Sequence, residues 1–375
     1  MNYTRRTWAT VDTNAIKNNI DKIRDFVGNK TRIMSVIKAD GYGHGAVAAA
    51  RVLAEKSDYF AVSNIDEAMQ LRSENIEKPI LILGYTPPNS MNLLAEHNIT
   101  QTVFSVTYAM LLNEAAKSSG KRICVHVKID TGMNRLGFGA KNDKETAASA
   151  EEIEKIYKEC KNLDFEGIFT HFAVADEPEK DFTELQYDRF LKIIDLCEKS
   201  GVFFPIKHCC NSAATLNFPQ MHLDMVRPGL ILYGILPTNT ENIGLEPAMS
   251  LKTTVSFLHK VKKGETVSYG RTFTADRDMT VATLPIGYAD GLFRVLSDKI
   301  NVVINGQKAP LIGRICMDQC MADVTGLDVS TEDTVLIFGS HKDEKAPIEL
   351  IADTAETIPY EIICDIGKRV PRVYI

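Results

Sequence analysis

The chain has 375 residues, 45% of them hydrophobic and 25% charged, a globular composition that sets aside the disordered and fibrous classes. A formal net charge of −6 with no basic block argues against a nucleic-acid partner. At this length two domains are expected, each able to hold its own core.

At the N-terminus, "MNYTRRTWATVDTNAI" lacks a long apolar core after its two arginines, so no secretory signal is expected. No stretch reaches the roughly 18 uninterrupted apolar residues of a membrane span. The expectation is a cytoplasmic protein without membrane contact. The eight cysteines are scattered through a large chain and do not read as a disulfide framework. Cys209-Cys210 beside His208, and Cys316 with Cys320, lack zinc-ligand spacing, so no metal is expected.

Short β-branched runs alternate with amphipathic stretches up to about residue 235. "NAIKNNIDKIRDFV" carries Ile16, Ile20, Ile23 and Val27 at helical spacing. Strands are then expected at residues 33–37, 59–63, 79–83, 101–105, 123–129, 165–170, 205–208 and 224–226. Helical segments lie between them, among them "FTELQYDRFLKIIDLCEKSG", which stops at Gly201. Eight strands alternating with helices predict a (β/α)8 TIM-type barrel, and this half of the chain approaches the ~250 residues typical of one.

The texture changes at "GILPTNTENIGLEP", a linker rich in Pro, Asn and Gly. Beyond it "LKTTVSFLHKV", "MTVATLPI", "INVVINGQKAPLI", "MADVT" and "DTVLIFG" read as strands, with one helix at "IELIADTAE". The expected division is a barrel domain over 1–238 and a mostly β C-terminal domain over 239–375, with the first few residues open to association with the latter.

Active sites of such barrels sit at the C-terminal ends of the strands. There the sequence places Lys38, Lys128 with Asp130, His171, His208 and Arg227. Lys38, in "SVIKADGYGHG", is open to two readings: a solvated strand-end lysine before a Gly-rich turn, or a nucleophilic amine at a pocket mouth. The loops after the seventh and eighth strands read "NSAAT" and "RPGLILYG" and offer hydroxyl and backbone donors to an anion. Either is also an ordinary cap or turn. A lysine amine facing a phosphate site suggests pyridoxal 5′-phosphate (PLP), whose aldehyde condenses with lysine.

Seven segments in order, "VIKADGYGHG", "VKIDTGMNRLGF", "HCCNSA", "RPGLILYG", "SYGRTF", "LPIGYADGLFR" and "GRICMDQ", resemble the alanine racemase family of fold-type III PLP enzymes across essentially the whole chain. The resemblance implies a homodimer with shared active sites. Lys38 would hold PLP and serve as a base on one face of the substrate Cα; Tyr269 from the partner subunit would serve the other. A free tyrosine, titrating near ~10, is a poor base at neutral pH. His171, linked toward Arg227 and His208, is the implied helper. Arg227 would face the pyridine nitrogen, where a donor that cannot accept leaves the ring unprotonated and limits side reactions.

The remaining implied cofactor contacts are Tyr42, Arg135, Asn211, Ser212, Gly229, Leu230 and Tyr360. Arg135 would also meet the substrate carboxylate; Met317 and Asp318 would line the substrate side, and Tyr288 would join Tyr360 at the entrance. Lys128 matches a family position for a carbamylated lysine; an unmodified lysine paired with Asp130 is the other reading. The implied reaction interconverts L- and D-alanine, supplying D-alanine for peptidoglycan.

Three other functions fit parts of this pattern. A racemase of serine or another small amino acid would keep all the chemistry, but serine-directed relatives carry a smaller polar residue where Tyr360 stands. A PLP-dependent decarboxylase shares the barrel-plus-β layout but uses an acid where Arg227 stands. A non-catalytic PLP-binding barrel would lack the second domain and Tyr269.

Overall fold

A computed structural model describes residues 6–375. The chain divides into two compact units, one of residues 16–41 and 46–246, the other of residues 6–15, 42–45 and 247–375.

The first unit is a nearly closed parallel barrel. Its strands are Arg32–Val36, Tyr59–Val62, Ile80–Ile82, Thr100–Val103, Ile123–Asp130, Leu163–Phe169, Ile206–His208 and Met225–Val226, laddered in that order, with the eighth paired back to the first. The Asp224 N–H donates to the Lys207 carbonyl at 3.1 Å and the Arg227 N–H to the Cys210 carbonyl at 2.9 Å, which ties the seventh and eighth strands together. All eight strands read from sequence are present, their ends displaced by about two residues or fewer. Several central strands are buried along their whole length, as parallel strands covered on both faces must be. The surrounding helices start at side-chain caps: Asn64, Ser105 and Asn142 each accept the N–H three residues on.

The second unit is mostly β. Its main sheet runs Gln307–Pro310, Asn301–Ile304, Thr334–His341, Met249–Thr254, Thr7–Val11 and Arg372–Tyr374. The strand Thr7–Val11 pairs antiparallel with Met249–Thr254 and parallel with Arg372–Tyr374, so both chain ends build this sheet. A three-stranded sheet of Phe257–Val261, Met279–Leu284 and Cys320–Asp323 packs Val261, Val267, Met279, Val281 and Ile312 into its own cluster. The helix at "IELIADTAE" forms as Ile348–Thr354, and a second one, Pro359–Cys364, follows it.

Candidate active site

Lys38 follows the first barrel strand and opens a turn of unusual backbone. Ala39 (φ 52°), Asp40 (φ 52°), Gly41 (φ 62°) and Tyr42 (φ 52°) are all left-handed. Each non-glycine residue there costs about 1–2 kcal/mol, so the turn persists only because its surroundings specify it. The Gly41 N–H donates to the Ile37 carbonyl at 2.9 Å. Glu67 braces the turn, accepting the Ala39 N–H at 2.7 Å through Oε1 and the Ser63 N–H at 2.8 Å through Oε2. Asp40 accepts the Ala46 N–H at 2.8 Å.

Arg227, at the end of the eighth strand, is buried. Its Nη1 lies 3.0 Å from His208 Nδ1, and its Nη2 donates to the carbonyls of Thr170 (2.9 Å) and Cys209 (3.0 Å) and lies 3.3 Å from His171 Nδ1. Burial lowers its pKa to about 10, which leaves it charged at neutral pH. A guanidinium only donates, so Nδ1 of both histidines accepts and Nε2 carries their hydrogen. Burial and the charge of Arg227 push both imidazoles well below their ordinary pKa, which keeps them neutral. Lys128, Arg135 and Lys38 add to the effect on His171, so four basic side chains share one barrel mouth.

The fifth strand, Ile123–Asp130, alternates in pairs, and Cys124, His126 and Lys128 therefore share one face. Lys128 is buried with its ammonium 4.8 Å above the Phe169 ring, while Phe169 stacks on His208 at 4.8 Å and 5°. Burial, then Arg227 and Arg135, depress the Lys128 pKa well below the usual lysine value, with Asp130 opposing. Asp130 itself accepts the N–H groups of Gly132 and Asn134, each at 3.0 Å, shaping the loop that carries exposed Arg135. Asn211 caps the Ser212–Asn217 helix. Ser212 Oγ accepts the Gly229 N–H at 2.9 Å, joining the seventh and eighth loops beside buried Leu230.

The second unit holds the other expected residues. Tyr42 and Tyr360 have ring centroids 6.1 Å apart. Gly43 passes so close to the Ile363 carbonyl that any Cβ would collide with it. Tyr269 is 70% exposed in a tight turn where Ser268 (φ 68°, ψ −178°) and Arg271 (φ 51°) are strained and Ser268 Oγ donates to the Arg314 carbonyl at 2.5 Å. Met317 and Tyr288 are exposed as well. Asp290 is fully buried between two arginines, with Arg6 at 2.9 Å and Arg369 at 2.8 Å; Arg369 also reaches Asp318 at 2.7 Å.

Two residues escaped the sequence reading: His126, whose Nδ1 lies 2.8 Å from His208 Nε2, and Glu166, whose carboxylate lies 3.1 Å from His126 Nε2. The alternation Cys124, His126, Lys128 was the available signal for the first. All eight cysteines are free, and among the described residues no group of three or more His, Cys, Asp or Glu side chains is arranged to hold a metal. No helix among them is long and apolar enough to cross a membrane.

A (β/α)8 barrel with lysines, arginines and neutral histidines clustered at the strands' C-terminal ends, followed by a mostly β unit, defines a barrel-based two-domain enzyme. Family profiles agree over nearly the whole chain: the alanine racemase N-terminal domain matches residues 11–237 and the C-terminal domain residues 248–374. The chain is 44% identical over 375 residues to the alanine racemase of Desulforamulus reducens (98% of each chain), and 43% identical over 373 residues to that of Methanococcus maripaludis (98% of each). Among solved structures, it superposes on the alanine racemase of Clostridium difficile with TM-score 0.94 at 41% identity, covering 100% of this chain and 97% of that one. The Bacillus anthracis alanine racemase with bound L-Ala-P gives TM-score 0.93 at 35% identity, covering 100% and 96%. The chain belongs to the alanine racemase family, whose members are isomerases.

Proposed function

We propose that the protein interconverts L- and D-alanine with PLP as cofactor, in a cytoplasmic homodimer that supplies D-alanine for peptidoglycan. The observation that carries this reading is buried Arg227, charged and donor-only, held between His171 and His208 at the barrel mouth. The donor set fits PLP: Lys38, Arg135 and Arg227 make the mouth electropositive, suited to a phosphate and a substrate carboxylate. When bound, PLP supplies an electron-withdrawing ring that acidifies the α-proton of an amino acid.

Lys38 would hold the cofactor and move a proton on one face of Cα, while the partner subunit's Tyr269 serves the other face. Two bases on opposite faces let the substrate be reprotonated without turning over. The exposure of Tyr269, Met317 and Tyr288 supports a covering partner. His171, with its hydrogen on Nε2, would orient that tyrosine. Arg227 would donate toward the ring nitrogen and Arg135 toward the substrate carboxylate. Asn211, Ser212, Gly229 and Leu230 would bound the phosphate side; since Ser212 Oγ already accepts from Gly229, its own hydrogen is free to donate to the phosphate. Tyr42 and Tyr360 are assigned as further cofactor contacts, with Tyr288, Met317 and Asp318 on the substrate side. The depressed pKa of Lys128 favours the neutral amine that reacts with CO2, and the resulting carbamate anion would steady Arg135.

A chiral assay of purified protein with PLP, offering L-alanine and L-serine separately, tests the reading. Rapid D-alanine with little D-serine is expected. No D-product from either, in protein that still binds PLP at Lys38, contradicts it and moves the function to another amino acid or to binding alone.

A further inference from the structure

His126 and Glu166 occupy neighbouring barrel strands at a local irregularity. Val125 pairs with Phe165 but His126 pairs with Gly167, so Glu166 is the inserted residue of a bulge, a feature that re-aims a side chain. A Cβ on Gly167 would lie 2.5 Å from His126 Nδ1; glycine there makes room for the imidazole.

Barrel interiors of this type are filled mainly by layers of branched apolar side chains. Here a hydrogen-bonded column takes their place. Arg227 Nη1 meets His208 Nδ1 at 3.0 Å, His208 Nε2 meets His126 Nδ1 at 2.8 Å, and His126 Nε2 meets Glu166 Oε2 at 3.1 Å. The guanidinium can only donate and the ionised carboxylate can only accept, so both ends impose the same tautomer on each imidazole. Burial alone would raise the Glu166 pKa, but hydrogen bonds from His126 and Tyr59 outweigh it and hold the carboxyl at about 2. Tyr59 OH and Cys124 Sγ donate to the same Oε2, and Glu166 and Cys124 line a pocket of about 620 Å³ with Arg122, Asp164 and Phe165, at the end of the strands opposite Lys38. At Nη1 and Nη2, Arg227 meets two imidazoles and two carbonyls, none of them anionic.

We propose that Glu166 is a positioning residue for Arg227, acting as its remote counter-ion from the far end of the barrel through His126 and His208. The inference rests on the assignment of Arg227 to the cofactor. It is tested by ¹⁵N NMR of the histidine-labelled holoenzyme in wild type, Glu166→Gln and Tyr59→Phe, alongside racemisation kinetics. In wild type both imidazoles should read as neutral Nε2–H tautomers. Glu166→Gln removes the charge but keeps an acceptor, and should shift the Nε2 signals of both His126 and His208 upfield. Tyr59→Phe removes a competing donor to the carboxylate and should shift both the opposite way.

The Gln variant should also lose roughly tenfold in kcat with KM nearly unchanged, the scale seen for outer partners that orient a functional histidine. Should Glu166→Gln fail to fold, Tyr59→Phe still decides the point by the direction of its shifts. If His126 signals move and those of His208 stay fixed, or if the Gln variant keeps wild-type kcat, the proposal is overturned. A wild-type enzyme that does not racemise alanine would sink the functional reading instead, and the shifts would still judge the relay.

Discussion

Lys38 and Tyr269 both adjoin backbone of positive φ, at Ala39–Tyr42 and at Ser268 and Arg271, but in different surroundings. The Lys38 turn is braced from outside: Glu67 accepts the Ala39 N–H, Asp40 of the turn accepts the Ala46 N–H, Gly41 and Tyr42 are buried, and the lysine acts on His171 alongside three other basic side chains. The Tyr269 turn rests on Ser268 and Arg314, and its phenol ring points away from the core at 70% exposure. Strained backbone persists where its surroundings over-determine it, and it clusters at functional sites. The barrel region therefore presents a finished network, whereas the Tyr269 face keeps strain and an exposed aromatic that its own unit does not use. Under the proposed function this asymmetry is the division of labour between subunits.

The sharpest break of the comparison comes at the finished end. Lys38→Ala should lower racemisation by on the order of 10⁴-fold or more and abolish covalent cofactor binding, since a nucleophile and a base are lost together. Absorbance and turnover measured on the same sample check both effects.

At the exposed end, Tyr269→Phe should cost about 10²–10³-fold. The loss should also be one-sided, with α-deuterium wash-in from one enantiomer slowed more than from the other. Equal slowing from both would argue against two separate bases.

The comparison also shows how far the sequence reaches. The eight barrel strands were legible because parallel strands buried on both faces are continuous β-branched runs, and Lys38 and Arg227 were legible as polar residues ending such runs. The left-handed turn was not: Ala39 and Tyr42 carry no local preference for it, and Glu67, which braces it, is distant in sequence. Glu166 was hidden by its bulge, which breaks the two-residue alternation from which inward faces are read. The strands Thr7–Val11 and Arg372–Tyr374 went unread because they are joined only through long-range pairing.

The smallest effect concerns Lys128. Unmodified, it releases its proton in the folded state well below the ordinary lysine range. Between those two values the unfolded chain holds the extra proton, so stability rises with pH across that window. Bicarbonate should add stability on top of this dependence, because the neutral amine and CO2 give a carbamate and a released proton, and the carbamate forms in the folded state. Melting curves with and without bicarbonate should differ by about 2–4 °C near neutral pH, and intact mass should show the added CO2. Identical curves and an unmodified mass would favour the plain lysine.

The most direct test of the shared site is complementation between two inactive variants. Lys38→Ala and Tyr269→Phe chains, each purified as dimers, are mixed under conditions of subunit exchange and assayed for D-alanine. If Lys38 of one subunit works with the partner subunit's Tyr269, each mixed dimer regains one intact site, and activity should return to roughly a quarter of wild type for random two-fold pairing. If both residues act within a single chain, every site in the mixture stays defective, and activity no higher than that of the separate variants would contradict the account.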